Sequence, residues 1–177
     1  YYVGLLSAAA MHGAAHQQPQ EFQVVAGAVL RPLTVGRVRI RFFFRRRMKL
    51  AVTEKTKTSS GYIPISTPEM TAYDLVRYRK GAGSIDHVAT VLSELAERLD
   101  AKRLLAIAKK GEEMPVIQRL GYLVERTGHA ELAGDLARLV EQAKPKFVRL
   151  EPGSSEAVSD RDQRWRVLVN TTIEVEA

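Results

Sequence analysis

The sequence contains no cysteine. That absence excludes disulfides and thiolate metal sites, and it fits a reducing compartment such as the cytoplasm. No apolar run approaches the roughly eighteen residues that a membrane-spanning helix needs, and no basic, apolar and small-residue signal segment stands at the front. Catalytic signatures are missing as well: there is no GxxxxGK[ST] phosphate loop, no GxSxG nucleophile elbow and no cluster at metal-ligand spacing. Nothing in the pattern requires a cofactor. The one Asp-x-Lys triplet of the kind a nuclease uses, Asp100-Ala101-Lys102, falls where a helix is predicted to begin, so Asp100 reads as a cap. A nuclease-like α+β domain is the enzymatic alternative.

Acidic residues are absent from one stretch in particular. No Asp or Glu lies between Arg31 and Lys49, where Arg31, Arg37, Arg39, Arg41, Arg45, Arg46, Arg47 and Lys49 supply eight positive charges. The other 19 basic residues face 20 acidic ones, so this stretch alone makes the 177-residue chain basic, with a formal charge of +7. A hydrophobic content of 45% is enough for one domain with a real core.

Val35 to Phe44 is the clearest predicted strand, because Arg37, Arg39 and Arg41 alternate with Val38, Ile40 and Phe42. The guanidinium groups then share one sheet face at intervals of about 6 to 7 Å, close to the phosphate spacing of a nucleic acid strand. Two readings stay open: the solvated outer face of an antiparallel sheet, or a contact surface for a nucleic acid or an acidic partner. Arg45, Arg46, Arg47 and Lys49 would extend the second. Phe43 and Phe44 break the alternation, which places a bulge or a strand end there.

Elsewhere, Tyr1 to Ala15 reads as a helix. His12 and His16 share a face at the spacing of two zinc ligands, but Gly-Ala-Ala separates them and no third ligand is near, which favours packing. Glu21 to Val25, Leu50 to Lys57 and Tyr62 to Ile65 read as strands, with Pro64 placing the last at an edge. Ser66 to Tyr78, STPEMTAYDLVRY, predicts the central helix: Ser66 and Glu69 have capping-box spacing and Pro68 suits the first turn. Ala72, Leu75 and Val76 face inward, and Asp74, Arg77 and Arg79 are left for the other side. Lys80 to Gly83 is the loop that closes it.

From Ser84 the period is helical. Ile85 to Leu99 makes one stripe, Asp100 caps a short helix ended by Gly111, Pro115 opens a third helix stopped by Gly128, and Leu132 to Val140 lines a fourth before Pro145. His87 and His129 sit near helix starts, where solvated or capping roles are expected. Phe147 to Leu150 and Arg164 to Asn170 return as strands, with Trp165 on the better-buried face. The sum is an α+β fold: a mixed or antiparallel sheet from both chain ends (1–83 and 145–177) with packed helices, and an antiparallel helical subdomain inserted at 84–144.

STPE followed by TA and then DLVRY resembles the signature segment of the AbiEi-type antitoxins of bacterial type IV toxin–antitoxin pairs. YYVGLLSAAAMHGAAHQQPQEFQVV at 1–25, GRVRIRFF at 36–43 and RWRVLVNTTIEVE at 164–176 resemble the same family in the same order. The resemblance implies a non-catalytic role, antagonising a partner nucleotidyltransferase toxin encoded beside it. It also implies an upstream winged helix-turn-helix that represses the shared promoter; the opening on Tyr1 without Met is read as the start of the region C-terminal to it. On this reading the Arg37 to Lys49 surface helps to hold promoter DNA or meets an acidic target. A non-specific nucleic-acid-binding domain is the other non-catalytic alternative.

Overall fold

Short β-prone segments at the front of the chain pair with one another before any long helix begins. In the computed structural model, which describes residues 1–14 and 19–175, β1 (Tyr2–Val3) is followed at once by α1 (Leu5–Met11). The expected helix from Tyr1 therefore loses its first residues to a sheet: Tyr2 pairs with Val25 and Val3 with Val24 of β2 (Phe22–Ala26). β3 (Leu33–Val35) and β4 (Val38–Phe44) form a hairpin around a two-residue turn, Gly36-Arg37, in which Gly36 takes a φ of +61°. The strand predicted from Val35 is thus folded back on itself, and Arg37 lies in the turn. β4 ends at Phe44 with its register to β2 unbroken from Phe22↔Ile40 to Ala26↔Phe44, so the Phe43-Phe44 step is a strand end and not a bulge.

β5 (Thr53–Thr58) and β6 (Gly61–Ser66) complete a mixed six-stranded sheet in the order β3-β4-β2-β1-β6-β5. β6 is not the edge strand that Pro64 suggested. β1 is two residues long and reaches it only at Val3↔Ile65, which leaves the sheet locally open for a residue without an N–H.

The central helix α2 (Pro68–Arg77) is capped one residue later than the capping-box spacing predicted. Thr67 accepts from the Met70 N–H, because Pro68 occupies the first helical position and the cap must precede it. Ser66 instead ends β6 and shares a hydrogen bond with Thr71, and Glu69 is buried, accepting from the Asp100 N–H and from Arg103. The predicted Lys80 to Gly83 loop is mostly a short helix, α3 (Arg79–Ala82).

Then come α4 (Ile85–Leu95), α5 (Ala101–Gly111), α6 (Met114–Arg126) and α7 (Ala130–Ala143). Asp100 caps α5 as predicted, accepting from the Arg103 N–H. α5 continues through Gly111 and stops at Glu112, which adopts a left-handed φ of 54°.

The fold is α+β, but the two ends of the chain do not share a sheet. β7 (Val148–Arg149), β8 (Asp160–Asp162) and β9 (Val167–Val169) form a separate three-stranded sheet in the order β7-β9-β8. α6 holds it in place. The buried Gln118 amide donates to the carbonyls of Lys146, Trp165 and Arg166, and a Cβ at Gly121 would overlap the Trp165 ring, which lies fully buried there. One continuous buried cluster runs from Tyr2 and Phe43 through α2 and α4–α7 to Leu150, Trp165 and Val167.

Candidate functional site

β4 carries the basic segment, and its register decides the fate of each cation. Tyr2, Val25 and Phe43 are cross-strand neighbours on one face, so Arg39 and Arg41 lie on that same face. This face is packed against α2 and α3 only at its Phe43 end: the Phe43 ring meets Tyr78 at a centroid distance of 5.6 Å. Arg39 and Arg41 project past the helices and remain partly exposed, while Val38 and Phe44 on the opposite face are half exposed. The alternation predicted for this strand is present. Which side is covered changes along its length.

Arg39 and Arg41 are brought together over a single carboxylate, Glu21, at 3.0 and 3.9 Å. Parallel pairing of β2 beside β4 delivers that acid from outside the acid-free segment. Arg41 also lies 4.9 Å above the Phe43 ring. Arg37, Arg46, Arg47 and Lys49 are exposed.

Arg45 does not belong to the surface. Its backbone N–H continues the ladder to Ala26, and its side chain follows Phe43 inward, where Nη1 donates to Asp74 Oδ1 at 2.9 Å. Asp74 is fully buried, although helical periodicity places it outward; its other oxygen accepts from the Tyr2 hydroxyl at 2.5 Å. Burial raises the Asp74 carboxyl to about 6, with Arg45 and the Tyr2 hydroxyl opposing the rise. The triad ties β1, β4 and α2 together.

Arg77, also predicted to face away from the core, ends α2 beside this triad. Its Nε donates to both oxygens of Glu113 at 2.8 and 3.0 Å, and its guanidinium lies 4.7 Å above the Tyr78 ring. Tyr78 in turn donates to the Phe44 carbonyl at 2.6 Å. Arg79 pairs with Glu151 at 3.0 Å. Arg45, Arg46, Arg47 and Arg77 therefore converge at the end of β4, a grouping that the sequence concealed because Arg77 belongs to a different element.

Among the described residues no group of three or more His, Asp or Glu is placed to hold a metal ion. Asp100 of the Asp-x-Lys triplet is engaged as the α5 cap. His12 is buried with a ring nitrogen 2.8 Å from the Ser66 carbonyl; His16, its proposed co-ligand, lies outside the described residues. His87 is exposed, and His129 precedes α7 without a side-chain cap bond.

Comparisons with known proteins bear on what this surface belongs to. No curated protein matches the sequence. Among solved structures, the RV2827C protein from Mycobacterium tuberculosis is similar, with a TM-score of 0.65 at 15% identity, over 94% of this chain and 61% of that one. That likeness concerns the fold alone, and the chain spans about 61% of the length of that protein. A family model described as the AbiEi antitoxin C-terminal domain matches residues 2–126, from β1 through the end of α6. With most of its length inside that match, this chain belongs to the AbiEi antitoxin C-terminal domain family.

Proposed function

We propose that this chain is the toxin-neutralising part of a bacterial type IV antitoxin. It acts in the cytoplasm against a nucleotidyltransferase toxin encoded beside it, within a protein whose upstream winged helix represses the shared promoter. The family match over residues 2–126 carries this reading. Its role is to bind or antagonise, with no bond made or broken by its own residues.

The exposed cations supply the second part of the proposal. Arg37, Arg39, Arg41, Arg46, Arg47 and Lys49 meet DNA phosphates or an acidic partner, whereas Arg45 serves as internal support. Their exposure and the scarcity of nearby acids favour this use. Contacts of this kind weaken steeply with salt and carry no sequence information by themselves.

Co-expression tests the first part. Growth arrested by the neighbouring toxin should be restored by this chain alone; rescue by the full-length protein but not by this chain would place the activity outside it. The second part predicts that Arg39→Glu with Arg41→Glu and Arg46→Glu lowers promoter affinity of the full-length protein while leaving its folding unchanged. Unaltered affinity would reject it.

A further inference from the structure

The end of β4 meets the last residues of α2 and α5 around a cavity of about 260 Å³, lined by Arg45, Arg46, Arg47, Arg77, Gly111 and Glu113 with Leu50 at its edge. We propose that this cavity is a binding site for a phosphate dianion, as borne by inorganic phosphate or by the terminal phosphate of a nucleotide. The inference rests on the cavity's own groups and stands independently of the antitoxin reading.

Charge count comes first. Four guanidinium groups converge there and two are matched by carboxylates: Arg45 by Asp74 at 2.9 Å, and Arg77 by Glu113 at 2.8 Å. Arg46 and Arg47 have no ion-pair partner among the described residues. Two positive charges are left over, which a dianion neutralises and a carboxylate or a single phosphodiester does not. Guanidinium groups also present paired N–H donors that suit phosphate oxygens.

Arg45, which lines the cavity, supplies the second observation. Arg45 is 4% exposed, yet its Nε has no hydrogen-bond partner among the described residues. A buried donor left unpaired costs about 1–3 kcal/mol, so one carried by a residue of the cavity's lining marks a place where an acceptor belongs. The hydroxyl of the fully buried Tyr73, also unpaired among the described residues, lies behind the lining against Gly111, where a Cβ would overlap it. Arg45, Arg77 and Glu113 all act electrostatically on that hydroxyl, which places it among the same charged groups.

Glu113 and the C-terminal ends of α2 and α5 oppose an anion. Glu113 is held to Arg77 by both oxygens, however, so its charge is largely spent on that pair. The volume lies below the range of about 300–1,000 Å³ typical of drug-sized ligands and suits a phosphate group with little more.

The experiment titrates the chain with inorganic phosphate, with ATP and with a short duplex DNA, following binding by calorimetry at fixed chloride. Saturable one-to-one binding of phosphate and ATP is expected. Arg46→Ala with Arg47→Ala, both at exposed positions, should weaken it by about tenfold or more. Lys55→Ala with Lys57→Ala, which removes two exposed cations of β5 outside the cavity's lining, should leave it unchanged. Two results would overturn the proposal: no saturable binding of phosphate or ATP, or equal losses in the two double variants. Duplex binding without phosphate binding would assign these cations to a nucleic acid backbone instead.

Discussion

Arg45→Ala is the substitution that separates support from surface in the basic segment. It removes the cation paired with Asp74 inside the core and leaves that carboxylate, among the described residues, hydrogen-bonded to the Tyr2 hydroxyl. Both partners are almost inaccessible, at 5% and 0% side-chain exposure, so water cannot take the place of the guanidinium. Breaking such a pair from one side costs about 3–5 kcal/mol. For a chain of this size the urea dependence is about 2 kcal/mol per M, so the unfolding midpoint should fall by about 2 M. Total stabilities of about 5–15 kcal/mol make that a large fraction of what is present. Arg46→Ala and Arg47→Ala, at exposed positions, should each stay within about 0.5 kcal/mol of wild type. Replacing both partners, Arg45→Met with Asp74→Leu, should recover most of the loss, because an apolar pair of similar volume does not strand a charge. Equilibrium urea unfolding followed by circular dichroism measures wild type and all four variants. A midpoint shift below about 0.5 M for Arg45→Ala would refute the claim that this pair fastens β4 to α2.

Three further measurements probe other parts of the fold. Gly121→Val forces a side chain into the Trp165 ring, and overpacking of about 1–3 kcal/mol or more should lower the melting temperature by roughly 2–4 °C per kcal/mol; an unchanged melting temperature would mean that the second sheet is not seated on α6 there. Thr67→Ala should cost about 1 kcal/mol through loss of the α2 cap, whereas Ser66→Ala tests the displaced capping-box position and should leave the Met70 N–H satisfied; equal exchange protection of that amide in wild type and Thr67→Ala would contradict the assignment. Asp74 gives a pH dependence of defined sign. Its folded value of about 6 lies above the ordinary 3.8, so the folded chain holds this proton more firmly. The resulting stabilisation is complete below about pH 4 and is lost as pH rises through about 6. The stability difference between wild type and Asp74→Asn should therefore shrink from pH 4 to 6, and a difference that grows would reverse the argument.

What the sequence made legible was whatever a short window decides. Alternation located β4, Asp100 announced the α5 cap, and Pro115 and Gly128 bracketed α6. The position of the α2 cap was available by the same local logic, since a proline at the first helical position obliges the preceding residue, Thr67, to serve. Strand partnership was not available, because β7 and β9 have the same apolar pattern whether they join the first sheet or build their own. The choice is made by Gln118 and Gly121, on a helix far from either strand in sequence.

Asp74 shows the deeper limit. A lone carboxylate off the apolar stripe of a helix is assigned to solvent because burying it unpaired is prohibitive. That rule gives way when a cation arrives from another element, here 29 residues upstream. One clue was nevertheless present. Arg39, Arg41, Phe43 and Arg45 keep the same parity along one extended segment, so a Phe43 facing the core carries Arg45 in with it. A buried guanidinium then requires an acid, and the acid-free run from Arg31 to Lys49 guarantees that it comes from elsewhere. The first acids downstream that lie on a strongly predicted helix are Glu69 and Asp74, and both are buried. Parity puts Arg39, Arg41 and Arg45 on one face, and the reach of the helices over that face divides them: Arg45 is covered and organises the end of β4, while Arg39 and Arg41 stay partly exposed and free to meet a ligand.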